Sequence, residues 1–311
     1  MVKIERILCP VDFSEFSHHA LAYATAMASW YGARVTILHV HTLGVPPWVL
    51  ASETGFSGAE AQRLSAEHRA QLTTELQRFA TTTAASDVEV DFIVDEGDDP
   101  AAAIVRASES ANASVIVLGT HGRSGVARIV LGSVTEHVLH LARCPVLAVP
   151  PHAKAAAIPR LFGHILVATD FSDAAAAGLT YALSLAQEAN SRLTVLHVVE
   201  PPPLRDEDEW AARGAGVASV LEAMKASAAR QLAAAIPVSA RDWCRVTELL
   251  EVGRPHREIL RVAAEQGVGL VVLGAHGYGV LERVFFGSTA HHVVRRAECP
   301  VLAVRAHRAA P

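Results

Sequence analysis

Two glycine-bearing segments carry the residue types best suited to holding phosphate. The first reads Gly119-Thr120-His121-Gly122, runs on for nine residues and closes on Gly132-Ser133. Glycine lets backbone approach a ligand closely and takes positive φ without steric cost. Ser133 falls at the start of a helix, where free N–H groups and the helix dipole favour an anion. Arg123 and Arg128 lie inside the segment and add charge-assisted contacts. The second segment, Gly274-Ala275-His276-Gly277 to Gly287-Ser288, keeps the same internal spacing. Such a loop suits a di- or triphosphate. It is not the P-loop spacing, and no lysine follows the final glycine. Taken alone, a G-x-x-G after a strand is usually a turn and a Gly-Ser before a helix a cap, and duplication copies turns as faithfully as sites. Asp12 and Asp170 each follow a strand. A carboxylate beside phosphate is repulsive unless it serves the base, the ribose or a metal, and both residues also read as caps of the following helices.

The elements that must position these residues come in two copies. Asp12-Phe13-Ser14 returns as Asp170-Phe171-Ser172 and Leu38-His39-Val40 as Leu196-His197-Val198, both at an offset of 158. The glycine segments, and Cys144-Pro145-Val146-Leu147-Ala148-Val149 against Cys299-Pro300-Val301-Leu302-Ala303-Val304, are offset by 155. A three-residue deletion between Val198 and Gly274 accounts for the change. The pattern predicts domains over 1–150 and 160–305, joined by a semi-stiff, proline-ended linker at 151–159.

Within one copy the hydrophobic period alternates between strand and helix. Strands are predicted at Ile4–Val11, Val35–Val40, Val88–Val94, Val115–Leu118 and Pro145–Val149. Helices are predicted over 14–31, about 59–80, Pro100–Ser110 and from Gly132-Ser133 onward. The second copy reads the same way, least clearly over 200–240, where Ala211–Ala235 looks helical. This predicts an α/β fold of two doubly wound open parallel sheets with helices on both faces. Ligands of such sheets bind beyond the strand carboxyl ends, where strand order reverses. If the first and fourth strands are neighbours there, Asp12 and Gly119 face one crevice.

Composition narrows the function classes. The chain has 311 residues, 51% of them hydrophobic and 19% charged, which fits two buried cores and not a disordered chain. A formal charge of −5 with no dense Lys/Arg run disfavours nucleic acid. Apolar runs are strand-sized, no leader pattern opens the chain, and the four cysteines show no zinc or redox spacing; a cytoplasmic, membrane-free protein is expected. Neighbouring histidines such as His18-His19 and His291-His292 point about 100° apart on a helix and do not easily share a metal. His39 and His41 share a strand face but lack a third ligand in the sequence. No G-x-G-x-x-G turn follows either first strand, which disfavours a dinucleotide oxidoreductase.

On the motif Gly-x-x-Gly, nine residues, Gly-Ser, intact twice, the chain resembles the universal stress proteins, in tandem form and of the ATP-binding branch. The strand ends Pro10-Val11-Asp12-Phe13-Ser14 and Leu38-His39-Val40 and the Cys-Pro-Val-Leu strands carry the same resemblance. It implies five-stranded sheets in order 3-2-1-4-5, of the adenine nucleotide alpha hydrolase-like kind, with ATP and a divalent ion (Mg2+) in the crevice. By position, Pro10, Val11 and Asp12 would meet the adenosine and Val40 the adenine. Gly119, His121, Gly122 and Arg123 would line ribose and phosphates, and Gly132, Ser133 and Val134 would cradle the phosphates. The second-site counterparts are Ala168, Thr169, Asp170, Val198, Gly274, His276, Gly277, Gly287, Ser288 and Thr289. The resemblance also implies pairing of the two domains through Val146–Val149 and Val301–Val304, with a homodimer as a further possibility. Ala275 replaces Thr120 and Tyr278 replaces Arg123, so the second site is expected to hold nucleotide more weakly or to prefer a different one.

Nothing in the motif obliges catalysis. His121 and His276 are its only acid–base candidates, and a hydrolase needs a positioned water besides a cradle. The preferred reading is a stress-response binder in which nucleotide occupancy orders loop 119–132 and changes a surface read by partners or oligomer contacts. A slow ATPase or adenylating enzyme is the alternative.

Overall fold

In each repeat the apolar runs become strands and the amphipathic stretches become helices, and the chain alternates between them. The computed structural model describes residues 2–42, 58–82, 87–122, 131–151, 153, 162–201, 207–275 and 286–306. Its contacts divide the chain into two units, Lys3–Ala155 and Ala156–Pro311 with Met1–Val2.

The first unit runs β1 (Arg6–Pro10), α1 (Glu15–Tyr31), β2 (Arg34–His41), α2 (Gly58–Thr81), β3 (Val90–Glu96), α3 (Pro100–Ser110), β4 (Val115–Gly119), α4 (Ser133–Leu141) and β5 (Val146–Val149). β1 pairs in parallel with β2 and with β4, β2 with β3, and β4 with β5. The order is therefore 3-2-1-4-5, as the family resemblance implied. The chain winds outward from β1 through β2 and β3, then crosses back to β4, so β1 and β4 flank the switch point. Ile7, Leu8, Ile37, Leu38, Ile116 and Leu147 are fully buried in the sheet.

Local chemistry sets the helix ends. The Ser14 hydroxyl accepts from the Ser17 N–H at the start of α1, and Gly32 ends that helix in the left-handed region at φ 61°. Asp99 caps α3 by accepting from the Ala102 N–H, with Pro100 in the first turn. The first strand is shorter than expected, because Ile4 and Val11 are buried but lie outside the ladder.

The second unit repeats this as β6 (His164–Ala168), α5 (Asp173–Glu188), β7 (Arg192–Val199), α6 (Glu207–Ala235), the one-turn α7 (Ala240–Trp243), β8 (Val246–Val252), α8 (Pro255–Glu265), β9 (Leu270–Gly274), α9 (Ser288–Arg296) and β10 (Val301–Val304). Its parallel pairings, β6 with β7 and β9, β7 with β8, and β9 with β10, give the same order. The structure also locates the deletion. β3 and β8 are offset by 156, so two residues are lost before β8. The third is lost at the next turn, where Gly97-Asp98-Asp99-Pro100 becomes Gly253-Arg254-Pro255. That turn gives up the helix cap, since Arg254 makes no side-chain capping bond.

His164 ties β6 to its neighbours. A carbonyl can only accept, so Nδ1–H donates to the Gln266 oxygen at 3.3 Å, and Nε2 accepts from Thr194 Oγ1 at 2.9 Å. Burial, with Arg192 nearby, holds this imidazole below its ordinary range. The unfolded chain, with histidine near about 6.5, then binds more protons than the folded one as pH falls through that value. The thermal midpoint is expected to drop from pH 7 to pH 5, and His164→Gln to flatten part of that drop. An identical pH profile for the variant would contradict this.

Candidate nucleotide crevice

The turn from first strand to first helix is built alike in both units. Phe13 and Phe171 hold left-handed backbone at φ 62° and 64°, rare for bulky side chains. Two contacts keep them there. Each ring lies against a histidine, Phe13 on His39 and Phe171 on His197, with centroids 4.4 Å apart. Each histidine in turn donates from Nδ1 to the carbonyl just before the aspartate, His39 to Val11 at 2.9 Å and His197 to Thr169 at 2.8 Å.

The aspartates are held by this turn and are not the helix caps. The caps are Ser14 and Ser172. Asp12 Oδ1 accepts from the Ser14 N–H at 3.1 Å and from the hydroxyls of Ser14 and Ser17, both at 2.5 Å. Asp170 Oδ1 accepts from the Ser172 N–H at 3.1 Å and hydroxyl at 2.6 Å, and Ala175 stands where Ser17 would add a third donor. The other oxygen of Asp12 faces the glycine segment: a Cβ on Gly122 would sit 2.9 Å from Oδ2.

The glycine segments are tied back onto their strands. Gly132 N–H donates to Thr120 O and Gly287 N–H to Ala275 O, each at 2.8 Å. Gly132 and Gly287 are the residues preceding α4 and α9, and neither helix has a side-chain cap. Ser133 and Ser288 are first helical residues, as the sequence places them, and the glycine at each cap position has no side-chain oxygen to offer. The first-turn N–H groups are thereby left to other acceptors, which suits an anion.

Gly119 and Gly274 have a different reason to be glycine. A Cβ on Gly274 would lie 2.8 Å from Ala175 N and 2.9 Å from Ala174 C, and one on Gly119 would lie 3.3 Å from Phe16 O. These glycines let the first helix of each unit sit on the end of the fourth strand.

In the second unit, Ala168, Thr169, Asp170, Val198, Gly274, Gly287, Ser288 and Thr289 all line one crevice of about 580 Å³. In the first unit the contacts above bring Val11, Asp12, Gly119, Thr120, His121, Gly122 and Gly132 together. Pro10 ends β1 beside Leu38, Val40 lies on β2 beside Asp95, and Ser133 and Val134 open α4. Arg123, His276, Gly277 and Tyr278 lie outside the described residues.

The two sites differ in their hydroxyls. Thr120 Oγ1 bonds His121 Nδ1 at 2.9 Å and Thr135 Oγ1 donates to Gly119 O at 2.7 Å, and the counterparts are Ala275 and Ala290. In return Thr169 replaces Val11 and accepts from the Phe171 N–H at 3.0 Å, and Thr289 replaces Val134.

Sequence reading missed one wall. Met224, Ser227, Ala228 and Gln231 of α6 line the second crevice. Their spacing is that of a single helical face, which was the available signal. It also missed Phe13, Phe171, His39 and His197, although Phe and His recur at one offset in both repeats.

Among the described residues no group of three or more His, Cys, Asp or Glu converges as a metal site. His18 stacks on Phe79 at 3.8 Å. Burial pushes the thiols up, Cys144 to about 11 and Cys299 to about 12, which leaves them poor nucleophiles. No helix among the described residues is long and apolar enough to cross a membrane.

Comparison with known proteins agrees with this architecture. The model of the universal stress protein family matches residues 3–150 and again 161–305. A universal stress protein of Mycolicibacterium smegmatis is 28% identical over 316 residues, covering 96% of each chain. Universal stress protein YxiE of Bacillus subtilis is 32% identical over 160 residues, 47% of this chain and 100% of its own. A crystal structure of a universal stress protein from Archaeoglobus fulgidus aligns with a TM-score of 0.64 and 25% identity, over 98% of this chain and 100% of that one.

Proposed function

The chain belongs to the universal stress protein family, matched once in each half, and from that premise we propose that it is an ATP-binding regulatory protein. The observation that carries the reading is the second-unit crevice. It gathers Asp170, Val198, Gly274 and Gly287-Ser288-Thr289 from four separate segments around one space of about 580 Å³. Pockets for ligands of nucleotide size span roughly 300–1,000 Å³. Uncapped helix starts at Ser133 and Ser288 suit phosphate oxygens. Asp12 and Asp170, held by serine donors, are assigned to the adenosine end, and Val40 and Val198 to the base. Mg2+ would enter with the nucleotide, held by its phosphates beside the serine hydroxyls.

Occupancy acts through the segment between Gly122 and Gly132 and its counterpart between Gly277 and Gly287. Nucleotide favours one arrangement of these segments, and partners or a second chain respond to it; the shift can be no larger than the difference in nucleotide affinity between the arrangements. The first site keeps the Thr120, Ser17 and Thr135 hydroxyls and is assigned the tighter binding.

Equilibrium dialysis of the full chain against ATP and Mg2+ tests the proposal, with bound and free nucleotide identified by ion-exchange chromatography. Saturable binding approaching two ATP per chain, the second weaker, is expected. Absence of binding at millimolar ATP would overturn the reading and leave the glycine segments as turns. Steady conversion to ADP would replace the binder by the slow ATPase.

A further inference from the structure

The second unit carries a cationic face that the first unit lacks. Arg254, His256 and Arg257 open α8, and His292 and Arg296 lie on the adjoining α9. The rings of His256 and His292 stack with centroids 4.7 Å apart. His292 Nδ1–H donates to the Ser288 carbonyl at 2.7 Å, which fixes that ring on the helix. The His256 imidazole is held below its ordinary range, first by burial and then by the charges of His292, Arg257, Arg296 and Arg254, so these groups share one field. The three arginines are exposed, and none has a carboxylate within ion-pair distance among the described residues.

The first repeat shows that this charge is not needed to pack the two helices. Its α3 and α4 make the same contact with Asp99, Ala101, Ala102, His137 and Leu141 at the equivalent positions. Three guanidiniums therefore stand where the sister unit has one carboxylate and two neutral side chains. Clustering like charges costs stability through self-repulsion, and of the three arginines Arg296 alone lies in the last turn of its helix, where the dipole favours a cation.

We propose that this α8–α9 face docks an acidic segment of a partner protein. Guanidinium forks pair carboxylates bidentately, and arginine is favoured over lysine for such contacts. The footprint is short: residues 254–257 cover one turn and 292–296 little more, about 6–8 Å along each helix axis at 1.5 Å per residue. An acidic stretch of roughly two helical turns covers it. A long nucleic acid would run past it onto a chain whose net charge is −5.

The test uses the full chain and a fluorescein-labelled peptide of about twelve residues with Glu at every third or fourth position, followed by anisotropy at low salt. The double variant Arg257→Glu, Arg296→Glu is expected to bind at least tenfold more weakly with a melting midpoint no lower than that of the unaltered chain. The same charge change at two exposed arginines elsewhere, Arg78→Glu with Arg230→Glu, is expected to leave binding intact. Equal loss in both variants would overturn the proposal, because binding would then follow net charge alone. Tighter binding of a short DNA duplex, lost with the α8–α9 variant, would assign the face to nucleic acid instead. Self-association of the free chain that the same variant abolishes would assign it to a second copy. Both results overturn the partner named here.

Discussion

Gly274→Val is expected to destabilise the second α/β unit severely while leaving the first unit folded. The added Cβ would meet backbone atoms, Ala175 N at 2.8 Å and Ala174 C at 2.9 Å. Neither can rotate away, so α5 must lift off the end of β9. Over-packing in a filled core costs about 1–3 kcal/mol, and a clash with helix backbone falls at the upper end. Against a domain stability of roughly 5–15 kcal/mol this is a large fraction. Differential scanning calorimetry of the full chain should show one transition moved down by several degrees and the other unmoved. A wild-type thermogram combined with lost nucleotide binding would contradict the assignment of this glycine to helix packing.

Gly122→Val is expected to give the opposite pattern. Its Cβ would approach a side-chain oxygen, Asp12 Oδ2, at 2.9 Å. The aspartate can move only by giving up donors from Ser14 and Ser17. The disturbance stays at the surface of the crevice, so the melting midpoint should hold within about 2 °C, a change worth about 0.5–1 kcal/mol for a unit of this size. ATP affinity at the first site should fall at least tenfold, which is about 1.4 kcal/mol. Calorimetric titration would then count one site fewer per chain. Full stoichiometry and affinity would show that Asp12 and Gly122 stand outside the nucleotide site.

The contrast between these two glycines shows which parts of the fold could be read in advance. Strand and helix identity followed from the period of apolar residues. Pro100–Ser110 was bounded correctly because a proline announces a helix start in the sequence itself; the Asp99 cap came from the structure. The 3-2-1-4-5 order came from the family resemblance, since periodicity does not rank strands. Gly119 and Gly274 carry a second constraint that composition does not reveal, because it cannot distinguish close approach to phosphate from close approach to a helix. Only the position of α1 and α5 on the sheet separates the two. Phe13 was equally opaque: its left-handed backbone depends on His39, 26 residues away, whose ring and Nδ1–H hold the turn from the next strand. The face of α6 over the second crevice was written in its i, i+3, i+4, i+7 spacing, but the site it would cover had no sequence signature.

The two units also diverge around their crevices, the second gaining hydroxyls at Thr169 and Thr289. The second gives up hydroxyls at Ala175, Ala275 and Ala290 and a helix cap at Arg254, and it gains a cationic face on α8 and α9. A duplicated fold allows one site to drift while the other keeps the motif's donors. Stronger ATP binding in the first unit, with partner docking on the second, is the division of labour this divergence supports.

The most direct test of the central claim is to locate the nucleotide. The full chain would be irradiated with 8-azido-ATP and Mg2+, digested, and the labelled peptides identified by mass spectrometry. The account predicts adducts in peptides containing Asp12 or Val40 and, more weakly, Asp170 or Val198, all suppressed by excess ATP. Labelling confined to other surfaces, or labelling that excess ATP fails to suppress, would contradict the claim that these crevices are adenine-nucleotide sites.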